Sequence, residues 1–281
     1  MTKFIKYSYL GISAALLFIS CKKNNLVVEK DVVPPAYAKF NTAQDADTMG
    51  TYYIKSTNDP YKLPVGVTTV SNVDRTIQFS YTGTATSGTQ FTAPASIVIK
   101  AGQTLDSLPI SGLFAGYPSS DRKDTVLITI SGGDVPASAY KGKYYLVLRK
   151  YCDVNLADFF GAYDNTWDNG IGTGYGPYST EIIDGSAVST GPTSGTIQIS
   201  NLWDYGLPNK VTVSLDWADP ANFKITVPDQ KYITSEDLWI KGTATAGSFS
   251  SCDQTFTVRY TLYYKSTGAN FYANQVTSLA R

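Results

Sequence analysis

The sequence predicts an all-β protein, built as a β-sandwich followed by an up-and-down β-barrel or a second sandwich. Three observations predict this fold class. The 281 residues include 21 Tyr and 23 Gly but only 2 Met, a composition typical of strands and turns. Polar and apolar residues alternate over many short segments, which is the period of a half-buried strand. The connections between these segments are short and rich in turn residues, which favours antiparallel pairing of neighbours.

The first 20 residues are a predicted signal peptide. Lys3 and Lys6 precede an apolar run of about 11 residues, which is too short to span a bilayer. Ser20 and Cys21 at the end of this run resemble a bacterial lipobox, so we expect cleavage before Cys21 and lipid on its thiol. The alternatives are an ordinary secretory signal with an incidental cysteine, or a single membrane anchor.

Residues 21–35 are predicted to be a polar tether between the lipid and the fold, stiffened by Pro34 and Pro35. Several acyl chains anchor a protein stably, so we expect the lipid on Cys21 to hold the protein at the outer membrane. Which face of that membrane it points to stays open. Removing Lys3 and Lys6 from 23 basic residues leaves 21 against 23 acidic residues, a net charge of −2. This balance indicates no nucleic-acid partner.

Residues 36–150 carry the pattern of a β-sandwich. Polar and apolar residues alternate strictly over 76–81, and the same pattern continues at 95–100, 125–130 and 143–150. About seven strands in a stretch of this length are typical of an immunoglobulin-like sandwich.

Residues 83–92, 97–104 and 124–132 carry a family likeness. Over these residues the first half resembles the Calx-beta and immunoglobulin-like modules at the start of many Bacteroidota lipoproteins. The resemblance implies a spacer or docking module. Calx-beta domains that bind calcium usually have Asp-Tyr where this chain has Gln90 and Phe91. A hard cation needs several oxygen ligands together, so we expect no metal and no cofactor.

Residues 151–281 are also rich in strand patterns, and about eight strands fit a small up-and-down barrel or a sandwich that almost closes. The predicted strands are 178–183, 196–200, 210–217, 223–227, 238–245 and 255–264. Residues 161–163, 201–203 and 227–230 resemble the lipocalin-like second domain of the same lipoproteins. That resemblance implies an architecture rather than a chemistry.

Cys152 and Cys252 lie near the start and the end of the second half. In an exported chain these two cysteines are candidates for a disulfide that closes a loop of about 100 residues. Two buried free thiols are the alternative.

The residue types exclude several kinds of catalysis. The chain has no histidine, which excludes Ser-His-Asp and Cys-His mechanisms and removes the commonest ligand of catalytic zinc. A glycosidase needs only two carboxylates, but the chain's glutamates are Glu29, Glu181 and Glu236, and the first lies in the tether. We therefore expect no enzymatic activity.

Residues 164–178 place aromatic, carboxylate and amide side chains on a predicted Gly-rich loop at one end of the barrel. Carbohydrate binding needs flat apolar faces together with side chains that hydrogen-bond hydroxyl groups. The candidate ligand-binding residues are Trp167, Tyr175, Tyr178, Asp164, Asp168 and Trp203. The alternatives are aromatic side chains that only pack on the barrel end, or a calcium site that lacks the spacing of an EF-hand.

These observations support two functional hypotheses. The first is a non-catalytic, lipid-anchored envelope protein that binds a glycan or another small ligand through its second domain. The second is a structural or interaction lipoprotein that docks an outer-membrane protein partner and has no small-molecule ligand.

Overall fold

Strands dominate the computed structural model, which describes residues 35–42, 48–57, 59–119, 122–204 and 209–281. The predicted signal peptide, the predicted lipid attachment at Cys21 and the tether up to residue 34 lie outside these residues. Within the described residues, helical structure is limited to two 3-10 turns, Phe114–Gly116 and Leu156–Phe159. The predicted all-β fold class is confirmed.

Among the described residues up to Lys150, nine strands form two layers. They are β1 (Ala38–Phe40), β2 (Met49–Ile54), β3 (Tyr61–Val67), β4 (Arg75–Gly83), β5 (Phe91–Thr92), β6 (Ser96–Ile99), β7 (Leu105–Gly112), β8 (Lys123–Gly133) and β9 (Lys143–Lys150). One sheet has the order β1-β3-β7-β5 and the other β2-β9-β8-β4-β6. Phe40 of the first sheet packs against Phe79 and Tyr144 of the second, with ring centroids 6.3 and 5.9 Å apart. The two layers therefore share one apolar core, as in a β-sandwich.

Eleven strands follow in the second part of the chain. They are β10 (Gly161–Asp168), β11 (Tyr175–Ile182), β12 (Val188–Gly191), β13 (Ser194–Ser200), β14 (Lys210–Asp216), β15 (Lys224–Thr226), β16 (Gln230–Ile233), β17 (Leu238–Gly242), β18 (Gly247–Ser250), β19 (Thr255–Tyr264) and β20 (Asn270–Leu279). All belong to one antiparallel sheet. Their core side chains alternate, as Val211, Val213 and Leu215 of β14 illustrate.

The hydrogen bonds of this second sheet close into a ring. They run from β10 through β11, β13, β14, β15, β18 and β19 to β20, and β20 pairs in turn with β10. The closing register sets Trp167 opposite Ser278 and Asp168 opposite Thr277. Outside the ring, β16 and β17 pair as a hairpin after β15. The short strand β12 pairs with β13. The ring strands follow one another in chain order, which is the predicted up-and-down connectivity, with β12 inserted between β11 and β13 and the β16–β17 hairpin inserted between β15 and β18.

Aromatic side chains fill the interior of the closed sheet near the Leu156–Phe159 turn. The ring of Phe256 lies 5.0 Å from Phe159, 5.7 Å from Tyr163 and 5.9 Å from Phe249, measured between centroids. All four side chains are buried. Interiors of eight-stranded barrels are narrow enough for side chains to fill, and here this end is filled by rings.

Three details of the sequence prediction are wrong. Residues 164–178 are not a Gly-rich loop, because most of them belong to β10 and β11. The predicted strand 238–245 ends at Gly242, and the chain turns before β18 begins at Gly247. In the second part, the strands β12, β16, β18 and β20 were not predicted.

Within the described residues, no strand of the first part pairs with a strand of the second. Residues 37–281 nevertheless form one compact unit. At the junction, the ring of Tyr151 lies 5.9 Å from both Tyr53 and Phe223, and Lys55 pairs with Asp153 at 2.6 Å. A domain boundary at residue 150 therefore stays a prediction.

Within the described residues, no helix has both the length and the hydropathy needed to span a bilayer.

Candidate ligand-binding site

The run of residues that was predicted as a loop is a tight hairpin between β10 and β11. Asn169, Gly170 and Gly172 have φ angles of 57°, 126° and 74°, in the left-handed region. A Cβ atom on Gly174 would lie 1.7 Å from the carbonyl oxygen of Asp168. The glycines therefore serve the turn itself, because other residues are strained or excluded there.

Strand alternation separates the predicted ligand residues into two groups. In β10, Tyr163, Thr166 and Asp168 are buried inside the closed sheet. A bulge between Tyr163 and Thr166 shifts the alternation, so Asp164, which follows Tyr163, and Trp167 both point to the outer face. Asp164 accepts a hydrogen bond from the Ser179 hydroxyl at 2.7 Å. The indole of Trp167 donates to Asn165 Oδ1 at 2.7 Å. The structure therefore does not bring these two residues together with the other four, and their role in ligand binding stays a prediction.

Asp168 lies at the centre of a buried hydroxyl network. Its side chain is only 4% exposed. Thr277 donates to Asp168 Oδ1 across the β10–β20 pair, and the Tyr178 hydroxyl lies 2.9 Å from the same oxygen. The Tyr260 hydroxyl in turn lies 3.0 Å from Thr277 Oγ1. Each member of this network comes from a different strand: β10, β11, β19 or β20.

The surroundings of Asp168 disfavour its charged form. Burial raises the pKa of Asp168 above its ordinary value, the hydrogen bonds from Thr277 and Tyr178 oppose that shift, and the negative charge of Asp204 adds to it. The pKa of Tyr178 lies far above its ordinary value, because of burial first and the neighbouring Asp168 second. Buried ionisable groups with shifted pKa values mark candidate functional sites.

The segment from Asn201 to Asp204 lies across this end of the closed sheet and is held at several points. The Tyr178 hydroxyl lies 2.8 Å from the Leu202 carbonyl oxygen. Tyr232 donates to the Trp203 carbonyl oxygen at 3.1 Å, and Tyr175 donates to Asp204 Oδ2 at 2.8 Å. This segment therefore connects the buried network of Asp168 with the surface.

Four aromatic side chains lie on or beside this segment. We call them the aromatic rim: Trp203 on the segment itself, and Tyr175, Phe271 and Tyr272 from β11 and β20. The ring of Trp203 lies 5.7 Å from Phe271 and 5.5 Å from Tyr272. Tyr175 is 63% exposed, Phe271 39% and Tyr272 46%. Solvent-exposed aromatic side chains clustered in this way are typical of binding surfaces.

Phe271 and Tyr272 were missed by the sequence analysis. They follow the turn at Ser266 and Gly268, where Gly268 has a φ of 71°. A hairpin signal at this turn would have predicted β20 and placed both rings beside the end of β19.

The remaining sequence-predicted residues lie elsewhere. Cys152 and Cys252 form a disulfide in the structure. Gln90 is buried and donates to Asp124 Oδ2 at 2.6 Å, and Arg122 pairs with the same oxygen at 2.7 Å. Among the described residues, no group of three or more Cys, Asp or Glu side chains is arranged to hold a metal ion.

Comparisons with known proteins give similarities without a family. No family model and no curated protein matches the chain. A protein of unknown function from Bacteroides ovatus is 13% identical with a TM-score of 0.32, over 88% of this chain and 93% of its own. A second such protein from Bacteroides ovatus is 15% identical with a TM-score of 0.33, over 86% and 89%. The apo-form Calx CBD1 domain is 12% identical with a TM-score of 0.33, over 42% and 98%.

These TM-scores are low, so the similarities support no inference about ligand or activity. Lipidation and a lipocalin-like relationship stay predictions.

Proposed function

We propose that this chain is a non-catalytic, lipid-anchored envelope protein that binds a saccharide on the aromatic rim of its closed sheet. The observation that carries the proposal is the cluster of Trp203, Phe271 and Tyr272, which exposes aromatic surface beside hydrogen-bonding groups. The C–H faces of a sugar ring pack on such surfaces, and the hydroxyl groups at its edge need polar partners. Asp204 and the Tyr175 hydroxyl supply these partners at the same place.

The charges at the aromatic rim favour a sugar without acidic groups. Asp204, whose side chain is exposed, directly follows Trp203 on the segment that crosses this end of the closed sheet. Residues 151–281 hold 7 basic and 13 acidic residues, a net charge of −6. A uronate or sulfated sugar would meet repulsion here, whereas a neutral or amino sugar would not.

The packed interior argues for binding at the rim rather than inside the closed sheet. The rings of Phe159, Phe249 and Phe256 occupy the interior at the other end. The lipid on Cys21 and the tether would hold the binding surface near the outer membrane, which is the part of the proposal that rests on sequence alone.

A saccharide panel measured by titration calorimetry tests this function. The panel contains xylotetraose, maltotetraose, mannotetraose and N-acetylchitotetraose, with tetragalacturonate as the acidic member. We expect one of the neutral sugars to bind, and Trp203→Ala to weaken that binding at least tenfold, the loss of about 1.4 kcal/mol of contact.

The control is a Trp→Ala substitution at a different position, on the outer face of the closed sheet. Trp167→Ala should keep the Kd of the unaltered protein, and circular dichroism should show both variants folded. Binding lost equally in both variants, or binding of tetragalacturonate alone, would refute the assignment of the rim. A protein that binds no member of the panel would support the alternative, an interaction lipoprotein that docks a membrane partner.

A further inference from the structure

The hydroxyl of Tyr178 lies between two acceptors but carries one hydrogen. It is 2.9 Å from Asp168 Oδ1 and 2.8 Å from the Leu202 carbonyl oxygen. Thr277 donates to the same Oδ1 and lies 3.0 Å from the Tyr260 hydroxyl. While Asp168 is ionised, these four contacts share three hydrogens, because a carboxylate only accepts. One of the four hydrogen bonds is then not made.

A proton on Asp168 supplies the missing hydrogen. The carboxylic acid donates to the Tyr178 oxygen, and Tyr178 donates to the Leu202 carbonyl oxygen. Thr277 still donates to Asp168 and accepts from Tyr260, so all four contacts are made. When Asp168 loses the proton, its charged oxygen is the stronger acceptor and takes the Tyr178 hydrogen. The Leu202 carbonyl oxygen then loses this donor.

The groups that face Asp168 add negative rather than positive charge. Tyr178 and Tyr175 approach from β11, Tyr260 from β19 and Tyr232 from β16, and Asp204 faces it from the segment after β13. Asp168 raises the pKa of each of these tyrosines, and Asp204 raises that of Asp168. Among the described residues, no lysine or arginine contributes to the pKa shifts of Asp168 and these four tyrosines. An ionised Asp168 thus has hydroxyl donors but no cation among its perturbing neighbours.

We propose that Asp168 and Tyr178 are positioning residues for the segment that carries Trp203, and that proton uptake by Asp168 strengthens saccharide binding at the aromatic rim. The binding half of this proposal rests on the proposed function. The positioning half concerns the free protein and stands independently of any ligand.

The direction of the pH dependence follows from linkage. Because burial raises the pKa of Asp168 above its ordinary value of 3.8, the folded protein keeps this proton at pH values where the unfolded chain has lost it. The stability that the proton provides is present in full below the unfolded pKa and is lost as the pH rises through the raised folded pKa. Over the same rise in pH, the hydrogen bond from Tyr178 to the Leu202 carbonyl oxygen should be lost, and saccharide binding should weaken.

The free protein gives the first test, through tryptophan fluorescence between pH 4 and pH 8. We expect a sigmoidal change that disappears in Trp203→Phe, which identifies Trp203 as its source. In Asp168→Asn the side-chain amide donates to Tyr178 at every pH, so the signal should stay at its low-pH value. In Tyr178→Phe the signal should stay at its high-pH value. An unchanged titration in Asp168→Asn would overturn the proposal.

Calorimetry with the neutral tetrasaccharide that binds best gives the second test. The Kd of the unaltered protein should rise with pH between pH 4 and pH 8, by about fivefold in total, the effect of one net hydrogen bond. Asp168→Asn should keep the low-pH Kd throughout. Asp204→Asn removes a proposed sugar partner and should weaken binding at every pH. Its Kd should still rise with pH, but over a lower pH range, because the charge of Asp204 no longer raises the pKa of Asp168. A Kd that does not change with pH in the unaltered protein would overturn the link to binding. A fluorescence titration without any sugar binding would refute only the proposed function.

Discussion

Phe256→Ala tests whether the closed sheet has a filled interior, on which the choice of the rim as the binding surface depends. Phe256 lies on β19, is 2% exposed, and its ring contacts the rings of Phe159, Tyr163 and Phe249. The substitution removes the ring at the centre of this group. If the interior is packed as the structure shows, the remaining rings will not refill the space.

The loss of stability follows from two contributions. Burial of a Phe side chain stabilises the folded state by about 1.5–3 kcal/mol relative to leaving it exposed, and the alanine variant loses most of this contribution. The three ring contacts add about 0.5–1.5 kcal/mol each, although such contributions overlap. Measured Phe→Ala substitutions in packed cores cost about 3–5 kcal/mol, cavity formation included. We therefore expect Phe256→Ala to lower the free energy of unfolding by about 4 kcal/mol.

Guanidinium denaturation measures this loss, with Tyr272→Ala as the control. The Tyr272 ring is 46% exposed on the rim, so its removal should cost no more than about 1 kcal/mol. If Phe256→Ala cost no more than that control, the rings would not be tightly packed. The interior would then have room for a ligand, and the reasoning that places binding at the rim would fail.

Three further predictions concern other parts of the chain. Replacing both Cys152 and Cys252, which are 100 residues apart in sequence, with Ser should cost about 4–5 kcal/mol in the chain-entropy model, and denaturation under non-reducing conditions measures it. Gln90→Met should lower stability by about 1.5–3 kcal/mol, since it removes the Gln90 hydrogen bond to the buried carboxylate of Asp124 and leaves that of Arg122, whereas a cost near zero would contradict the importance of the Gln90 hydrogen bond. Mass spectrometry of the membrane fraction should find a chain that begins at an acylated Cys21, and an intact residue 1 or an unmodified Cys21 would refute the lipobox prediction.

Alternation of residue types was sufficient to locate about half of the strands in the described residues. The buried residues Val126, Ile128 and Ile130 of β8 and the long alternating run of β19 define their faces locally. Each such strand buries its apolar residues whatever its neighbours are, so the pattern is visible without knowledge of pairing. Alternation also accounts for Trp239. It is out of phase with the buried Leu238 and Ile240, and its side chain is only half-buried.

The closing strand was not predictable in this way. β20 begins with exposed residues over Asn270 to Asn274 and buries Thr277 and Leu279 only near its end. Its place in the fold comes from pairing with β19 on one side and β10 on the other. The pairing with β10 is long-range and is made by backbone hydrogen bonds, so it leaves little trace in the pattern of side chains.

The separation of the predicted ligand residues also results from a long-range pairing that the sequence pattern does not show. Trp167 and Asp168 are adjacent in sequence, and composition alone made both of them sugar contacts. Closure of the sheet sends Asp168 inward to Thr277 and leaves Trp167 on the outer face, while it brings Tyr272 beside Trp203. The proposed binding surface and the buried carboxylate of Asp168 therefore both depend on one long-range event, the pairing of β20 with β10. A substitution that weakens this pairing should disturb the fluorescence titration of Trp203 and saccharide binding together, whereas one on the outer face should change neither.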